Sequence, residues 1–444
     1  MSWLDFFSSR ESSCNVSFGR GINADISPNE EELFYSSYEA FEKRNTLDGY
    51  EYFFRSLINF TEDVSNENIT FSRDRDTLHF TILQGTARVT GTITEKSLYA
   101  EANIVKSSSA TVALKRYILE RNYQFTYSNY FSDGEFIKLK LHQDNIILSP
   151  QKIFFPLREL ALNADFDKEH IKSEFKDVIL EDLEHISQVD SPDFTNAKEV
   201  KIKYDYMMKW IEELEEKVLT LPSNDNSGMQ SFLYLNILFK IDYLLSPKFA
   251  FYQELSKKVG EYFTDENGTI EAKNEEMKRY LLTLKEMKFD DFKENFYSAK
   301  YTFNPIEKSS YDDVVVFIAE SQKKIKWYKN NRYIQIIPTI YNYIAFYSLY
   351  NYGMNPLLHE LFHILTKVQN SSFFAEMGCE SLYDEKTQNF MKKNITNRIK
   401  KLAEEHAQKY KNLMLLPEEL NFNSMNEFCA SYYAMLKNLD FEEV

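Results

Sequence analysis

The spacing of apolar residues along this chain changes period twice. After a polar start, Ser27-Pro28 followed by NEEELF combines a capping residue, a proline in the first turn and early acids, which predicts a helix from about residue 28. LDGYEYFFRSLINF predicts a second helix. From residue 69 the period falls to two. LHFTI (78–82), TARVTGTIT (86–94) and SLYAEANIV (97–105) alternate apolar with other residues and are parted by turn residues, the pattern of an antiparallel meander. SSSATVALKRYILER (107–121) then sets Val112, Leu114, Tyr117, Ile118 and Arg121 at helical spacing. YQFTYSNYF and EFIKLKLHQ, on either side of Ser132-Asp133-Gly134, predict a hairpin, and IFFPLRELALNADFDKEHIKSEF a long closing helix. The order α, three β, α, two β, α is that of an α+β domain made of one sheet and packed helices.

Polar SQVDSPDFTNAKE (187–199) predicts a domain boundary, with residues 1–190 as the α+β domain and 191–444 as a second domain. The period there is helical. KYDYMMKWIEELEEKVL, SFLYLNILFKIDYLL, FAFYQELSKKVGEYF, EEMKRYLLTLKEM and DDFKENFYSAKYTF are amphipathic stretches divided by Pro222, Pro247, Gly268 and Pro305. DDVVVFIAESQKKIKWYKNN and IIPTIYNYIAFYSLYNYG continue the series, so an all-α array without a fixed repeat is expected to the C-terminus. The tyrosines and phenylalanines of the last stretch recur every three or four residues. That spacing predicts helix packing rather than a stacking platform for nucleic acid or sugar.

The phrases LYAEANIV, ALKRYILERNYQFTYSNYFSDGEFIKLKL and FFPLRELALNADFDKEHI resemble the type III secretion chaperone-like fold, in particular the YbjN-type bacterial group, over roughly residues 30–180. The resemblance implies a module that binds other proteins, can form a homodimer and has no active site of its own.

Composition narrows the alternatives. A net charge of −16 opposes phosphate backbones and anionic lipid, so neither nucleic acid nor a membrane surface is expected as a partner. Only 11 glycines are present, and neither GxGxxG nor GxxxxGK[ST] occurs, which leaves nucleotide binding without support. Cys14, Cys379 and Cys429 form no CxxC pair and are odd in number, so reduced thiols are expected. No run of 18 apolar residues exists, and MSWLDFFSSRESSC lacks a basic region followed by an apolar one. The expectation is a soluble, cytoplasmic protein.

HELFH, residues 359–363, is the one stretch that spells chemistry. Two histidines one helical turn apart can share a Zn²⁺ ion, and Glu360 between them can act as general base on a metal-bound water. A third ligand has to come from elsewhere. Glu427 in MNEFCASYYAM is the best donor, and its helix resembles the N-E-x-x-A helix of gluzincin metallopeptidases, with Ser431 and Tyr432 where a further acid is expected. Around the motif, Leu357, Leu358, Leu361, Phe362, Ile364, Leu365 and Val368 share one arc of a helical wheel. His359, Glu360, His363, Thr366 and Lys367 share the other, which is expected to face a cleft or water. The cleft of a zinc peptidase also needs a sheet beside the motif helix, and the only strand-like piece nearby is RYIQII. The sequence thus predicts a non-enzymatic, chaperone-like or regulatory protein-interaction module, with no cofactor and a protein partner. The alternative is a zinc-dependent endopeptidase with His359, His363 and Glu427 as ligands and Glu360 as base.

Overall fold

A computed structural model describes residues 18–19, 28–58, 67–175, 177–188, 197–220 and 226–443. Helices α1 (Pro28–Glu42) and α2 (Thr46–Ser56) lead into strands β1 (Ile69–Asp74), β2 (Thr77–Gln84), β3 (Ala87–Ile93) and β4 (Ser97–Lys106). Then come α3 (Val112–Arg121), the hairpin β5 (Ser128–Ser132) and β6 (Phe136–Asp144), and α4 (Pro150–Glu174). The six strands form one antiparallel sheet in the order β1-β2-β3-β4-β6-β5. Period-two alternation gives the sheet its two faces. Leu78, Phe80, Ile82, Leu98, Ala100 and Leu139 are buried in one core with Leu157, Leu160 and Ala164 of α4. The other face is polar, with the Lys138 ammonium 2.9 Å from Glu101 and 3.0 Å from Asp133. Strand β1 escaped the sequence pattern because only Ile69 of its six residues is buried; pairing with β2 along an edge makes it a strand.

The rest is an array of helices. α5 (Ala197–Thr220), α6 (Ser227–Lys240), α7 (Phe249–Thr264), α8 (Ile270–Glu286), the short α9 (Phe289–Lys293) and α10 (Tyr311–Asn330) precede α11 (Ile337–Asn351), α12 (Pro356–Gln369), α13 (Ser371–Glu376), α14 (Lys392–His406) and α15 (Met425–Leu436). β7 (Ser187–Gln188) pairs with β8 (Tyr297–Ser298), and β9 (Tyr383–Asp384) with β10 (Asn389–Phe390). The fold is thus an α+β domain followed by a helical array. Helices α6 and α11 are buried over most of their length and form its centre. The tyrosine-rich segment packs there: Tyr341, Tyr343 and Phe346 are buried, and Tyr341 stacks on Tyr433 with ring centroids 5.6 Å apart. RYIQII is not a strand; its Ile334–Ile336 forms a 3₁₀ turn. No described helix is long and apolar enough to cross a membrane.

One expected helix is mostly absent. In DDFKENFYSAKYTF the helix stops at Lys293, and the next residues run as a strap across the end of the sheet. The Thr302 hydroxyl accepts from Asn68 Nδ2 and donates to the Leu83 carbonyl, both at 2.9 Å. Gln84 Oε1 accepts the N–H groups of Thr302 and Phe303 at 3.0 and 2.8 Å. Phe303 enters the sheet core and meets Phe154 edge-on at 5.5 Å. A continued helix would satisfy its own amides and leave Gln84, 1% exposed, without those donors. Tertiary pairing overrides local periodicity here. Most of the expected boundary, 189–196, lies outside the described residues.

Beside the strap, Asp165 accepts the Thr86 N–H at 2.7 Å and the Thr86 hydroxyl at 2.8 Å. Gly85 adopts a φ of +53°, and a Cβ there would stand 2.2 Å from Asp165 Oδ2, so this close approach requires glycine. Burial, and after it the Glu169 carboxylate, raise the Asp165 carboxyl to about 7.

Two measurements test this arrangement. Phe303→Ala should cost about 3–4 kcal/mol in urea denaturation, the penalty for emptying an aromatic site in a core. A loss below about 1 kcal/mol would show the strap to be peripheral. Asp165 has a folded-state pKa above its unfolded one, so the folded protein keeps a proton that the unfolded chain releases. Its linked contribution to stability therefore falls as pH rises from about 4 to about 7, by up to about 1.4 kcal/mol per unit. Asp165→Asn should remove that slope, and parallel curves for the two proteins would refute the assignment.

Candidate active site

Asn355 starts α12: its side-chain oxygen accepts the Leu358 N–H at 2.8 Å, and Pro356 occupies the first turn. All seven apolar positions of the expected arc are buried. The polar arc does not simply face water. Thr366 is 1% exposed, with its hydroxyl donating to the His363 carbonyl at 2.9 Å. The His363 ring is packed by His359 at 4.6 Å, Tyr243 at 5.6 Å and Phe18 at 6.5 Å, and the residue is half-buried.

Tyr243 comes from a place the sequence did not mark. Helix α6 continues into one π-helical turn, Ile241–Leu245, which ends at Ser246 in the left-handed conformation, φ 52°. The turn brings the Tyr243 hydroxyl to both imidazoles: it lies 3.4 Å from His359 Nε2 and in closer contact with His363 Nε2. Two ring nitrogens therefore converge on one oxygen. A phenol carries one proton, so it donates to one imidazole and accepts from the other only in the Nε2–H tautomer. His359 Nδ1 is buried without a hydrogen-bond partner; Glu360 Oε1 stands 3.9 Å away, beyond hydrogen-bond range.

The electrostatics separate the roles. The adjoining His359 imidazole is the main influence that holds the Glu360 carboxyl down at about 2, and this side chain is 47% exposed. Burial holds His363 down at about 3, so its imidazole is neutral near pH 7. Burial, and then the Glu360 charge, push the Tyr243 hydroxyl well up, and it remains protonated.

The segment Phe18–Gly19 closes one side. Phe18 meets Phe374 at 4.9 Å and Phe373 at 6.1 Å, both edge-on. The Gly19 N–H donates to the Tyr243 carbonyl at 2.8 Å, and the Ser246 hydroxyl donates to the Gly19 carbonyl at 3.3 Å.

Glu427, the expected third ligand, does not join the imidazoles. Helix α15 turns Phe428, Cys429, Tyr432, Tyr433 and Leu436 into the core, and the Tyr432 hydroxyl donates to the Leu361 carbonyl at 2.8 Å. That face leaves Glu427 exposed in the first turn, where Ser424 caps its N–H at 3.2 Å. Among the described residues no three His, Cys, Asp or Glu side chains are placed to hold a metal ion. The side chain that meets both imidazoles is Tyr243 instead. Nothing in the sequence distinguishes it among 30 tyrosines. The sheet, moreover, meets the array mainly through α4 and α7 rather than through α12.

One cysteine meets the expectation of reduced thiols and one departs from it. Cys429 is a free, buried thiol pushed up to about 12 by burial. Cys379 is disulfide-bonded, and Cys14 lies outside the described residues.

No protein-family model matches the chain, and no curated protein matches it.

Gly19 has a φ of +74°, and a Cβ on it would approach Tyr243 Cε2 to 2.7 Å. Gly19→Ala should therefore lower stability by about 1–3 kcal/mol in thermal unfolding. An unchanged melting temperature would mean that this segment does not brace Tyr243.

Proposed function

We propose that HELFH carries a metal-dependent hydrolytic centre of the zinc peptidase type, and that the α+β domain is a protein-binding module that serves it. The observation that carries this reading is the meeting of His359 Nε2, His363 Nε2 and Tyr243 Oη at one point beside an ionised, half-exposed Glu360. Two imidazoles, one of them held neutral by burial, and a phenol oxygen are an acceptable donor set for zinc, with tyrosine in place of the carboxylate expected from the sequence. His359, His363 and Tyr243 would hold the ion, which when bound supplies an acidified water and polarises an acyl carbonyl. Glu360 is the base: its carboxylate is charged across the neutral range and reaches solvent. Tyr243 braces both imidazoles, and Leu361 and Phe362 fix the backbone beneath them in the core.

A second reading keeps the interaction module alone, with Tyr243 as an internal hydrogen-bond partner for two half-buried histidines. What favours it is the group of exposed apolar side chains on the sheet domain, Tyr123, Tyr127, Ile146, Ile147 and Phe155. Tyr127 and Phe155 line one groove there, at the kind of surface through which a chaperone-like protein takes a partner or a second copy. The disulfide at Cys379 favours an oxidising compartment over the cytoplasmic address expected from the sequence.

Metal analysis separates the two. On the hydrolase reading, protein purified without chelator holds about one zinc per chain, and His363→Ala releases it. Glu360→Gln keeps the metal and abolishes cleavage of an unfolded protein substrate. On the second reading no stoichiometric metal is found, and Tyr243→Phe costs about 1–3 kcal/mol by leaving His363 unpaired.

A further inference from the structure

A second polar cavity, of about 260 Å³, opens in the helical array between α5, α6, α11 and α13. Its wall is Trp210 and Phe373, whose rings pack at 5.4 Å. Lys240 reaches into it from α6. The ammonium lies 4.0 Å from the centre of the Trp210 ring, and among the described residues it has no hydrogen-bond acceptor and no ion-pair partner. Burial pushes it down to about 7, against the opposing pull of the Glu213 and Glu385 carboxylates. One turn earlier on the same helix, Asn236 is 6% exposed and lines the same cavity, and its Oδ1 is buried without a donor. Gln369, at the end of α12, also lines it; its Nε2 donates to Cys429 Sγ at 3.4 Å while its Oε1 is buried and unpaired. The acids of the cavity, Glu213 and Glu385, are exposed side chains, and Glu385 already accepts the Ser372 N–H at 3.1 Å.

Orphaned buried polar groups are rare because each costs free energy. Here two such amide oxygens, Asn236 Oδ1 and Gln369 Oε1, belong to residues that line one cavity, beside the half-buried ammonium of Lys240. The volume admits a ligand of amino-acid size, and the aromatic wall takes an apolar side chain.

We propose that this cavity binds a carboxylate flanked by an amide N–H, the chemistry of a peptide's C-terminal residue or an N-acyl amino acid. The carboxylate pairs with Lys240, which approaches it with Trp210 at its back. The amide N–H donates to Asn236 or Gln369, and the side chain lies on Trp210 and Phe373. The site needs no metal and stands apart from the HELFH reading.

Equilibrium dialysis of the full chain against labelled N-acetyl-leucine tests it. Saturable one-to-one binding is expected at or below about 1 mM, with at least a tenfold loss for the methyl ester, which lacks the charge. Lys240→Met should cause a similar loss. Asn236→Asp, an isosteric change, supplies Lys240 with an internal counter-ion one turn away and should also abolish binding, so the test stands even if the first variant fails to fold. An ester that binds as well as the acid would overturn the proposal, as would full binding by Asn236→Asp or no saturation up to about 10 mM by either N-acetyl-leucine or a peptide with a free C-terminus. Inorganic phosphate binding as tightly as N-acetyl-leucine would overturn it too, since it would mark a plain anion site. If free C-terminal peptides bind and N-acetyl-leucine does not, the source is a peptide end and the shared chemistry holds.

Discussion

An imidazole drawn to the edge of a core is held there by a fixed polar partner, and the centre of the helical array is organised around that pairing. Helix α12 needs its apolar arc inside, and burying that arc leaves His363 half-buried against the Tyr243 ring. A side chain that satisfies the ring there has to come from another element. Tyr243 does so, and every feature that holds Tyr243 then becomes part of the same requirement: the π turn, the left-handed Ser246 that ends it, and Gly19 pressed against the ring. The result is a polar point lined by Phe18, Phe346 and the motif helix itself, with both imidazoles half-buried and Glu360 turned toward solvent.

Much of the fold was legible because periodicity is a direct record of which face is buried. Strands β2 and β4 alternate cleanly, and α10 and α12 keep their apolar stripes. What failed to show was decided by contacts across long stretches of chain. Strand β1 is an edge strand with one buried residue, and the strap that carries Thr302 and Phe303 is extended because Gln84 and Asn68, more than two hundred residues earlier, need its groups. The candidate site divides in the same way. His359, Glu360 and His363 were visible as a spacing within one helix, whereas Tyr243 is brought in by a helical irregularity that no local pattern announces. Glu427 was legible as a residue type but not as a direction, since the stripe from Phe428 to Leu436 turns it outward.

The two parts of the chain are joined by polar pairing as much as by apolar packing. The Tyr297 hydroxyl donates to Glu169, Gly85 N–H to the Lys300 carbonyl at 2.8 Å, and Arg158 Nε to the Asn304 carbonyl at 3.1 Å. Such an interface is specific in register, because each donor has one acceptor within reach, and it fixes where the sheet sits on the array more sharply than an apolar face would.

The π turn at Ile241–Leu245 amounts to one extra residue wound into α6, so it sets a phase difference between the helix before it and the chain after it. Lys240 and Asn236 lie before the turn and Tyr243 lies within it. Deleting a single residue there would restore ordinary α-helical winding and redirect Tyr243 relative to the first part of the helix, because the wider turn advances each residue by less than the α-helical angle of about 100°. The cavity wall would keep its lysine while the imidazoles lost their phenol. One inserted codon is thus enough to couple, or to uncouple, two neighbouring polar sites on the same helix.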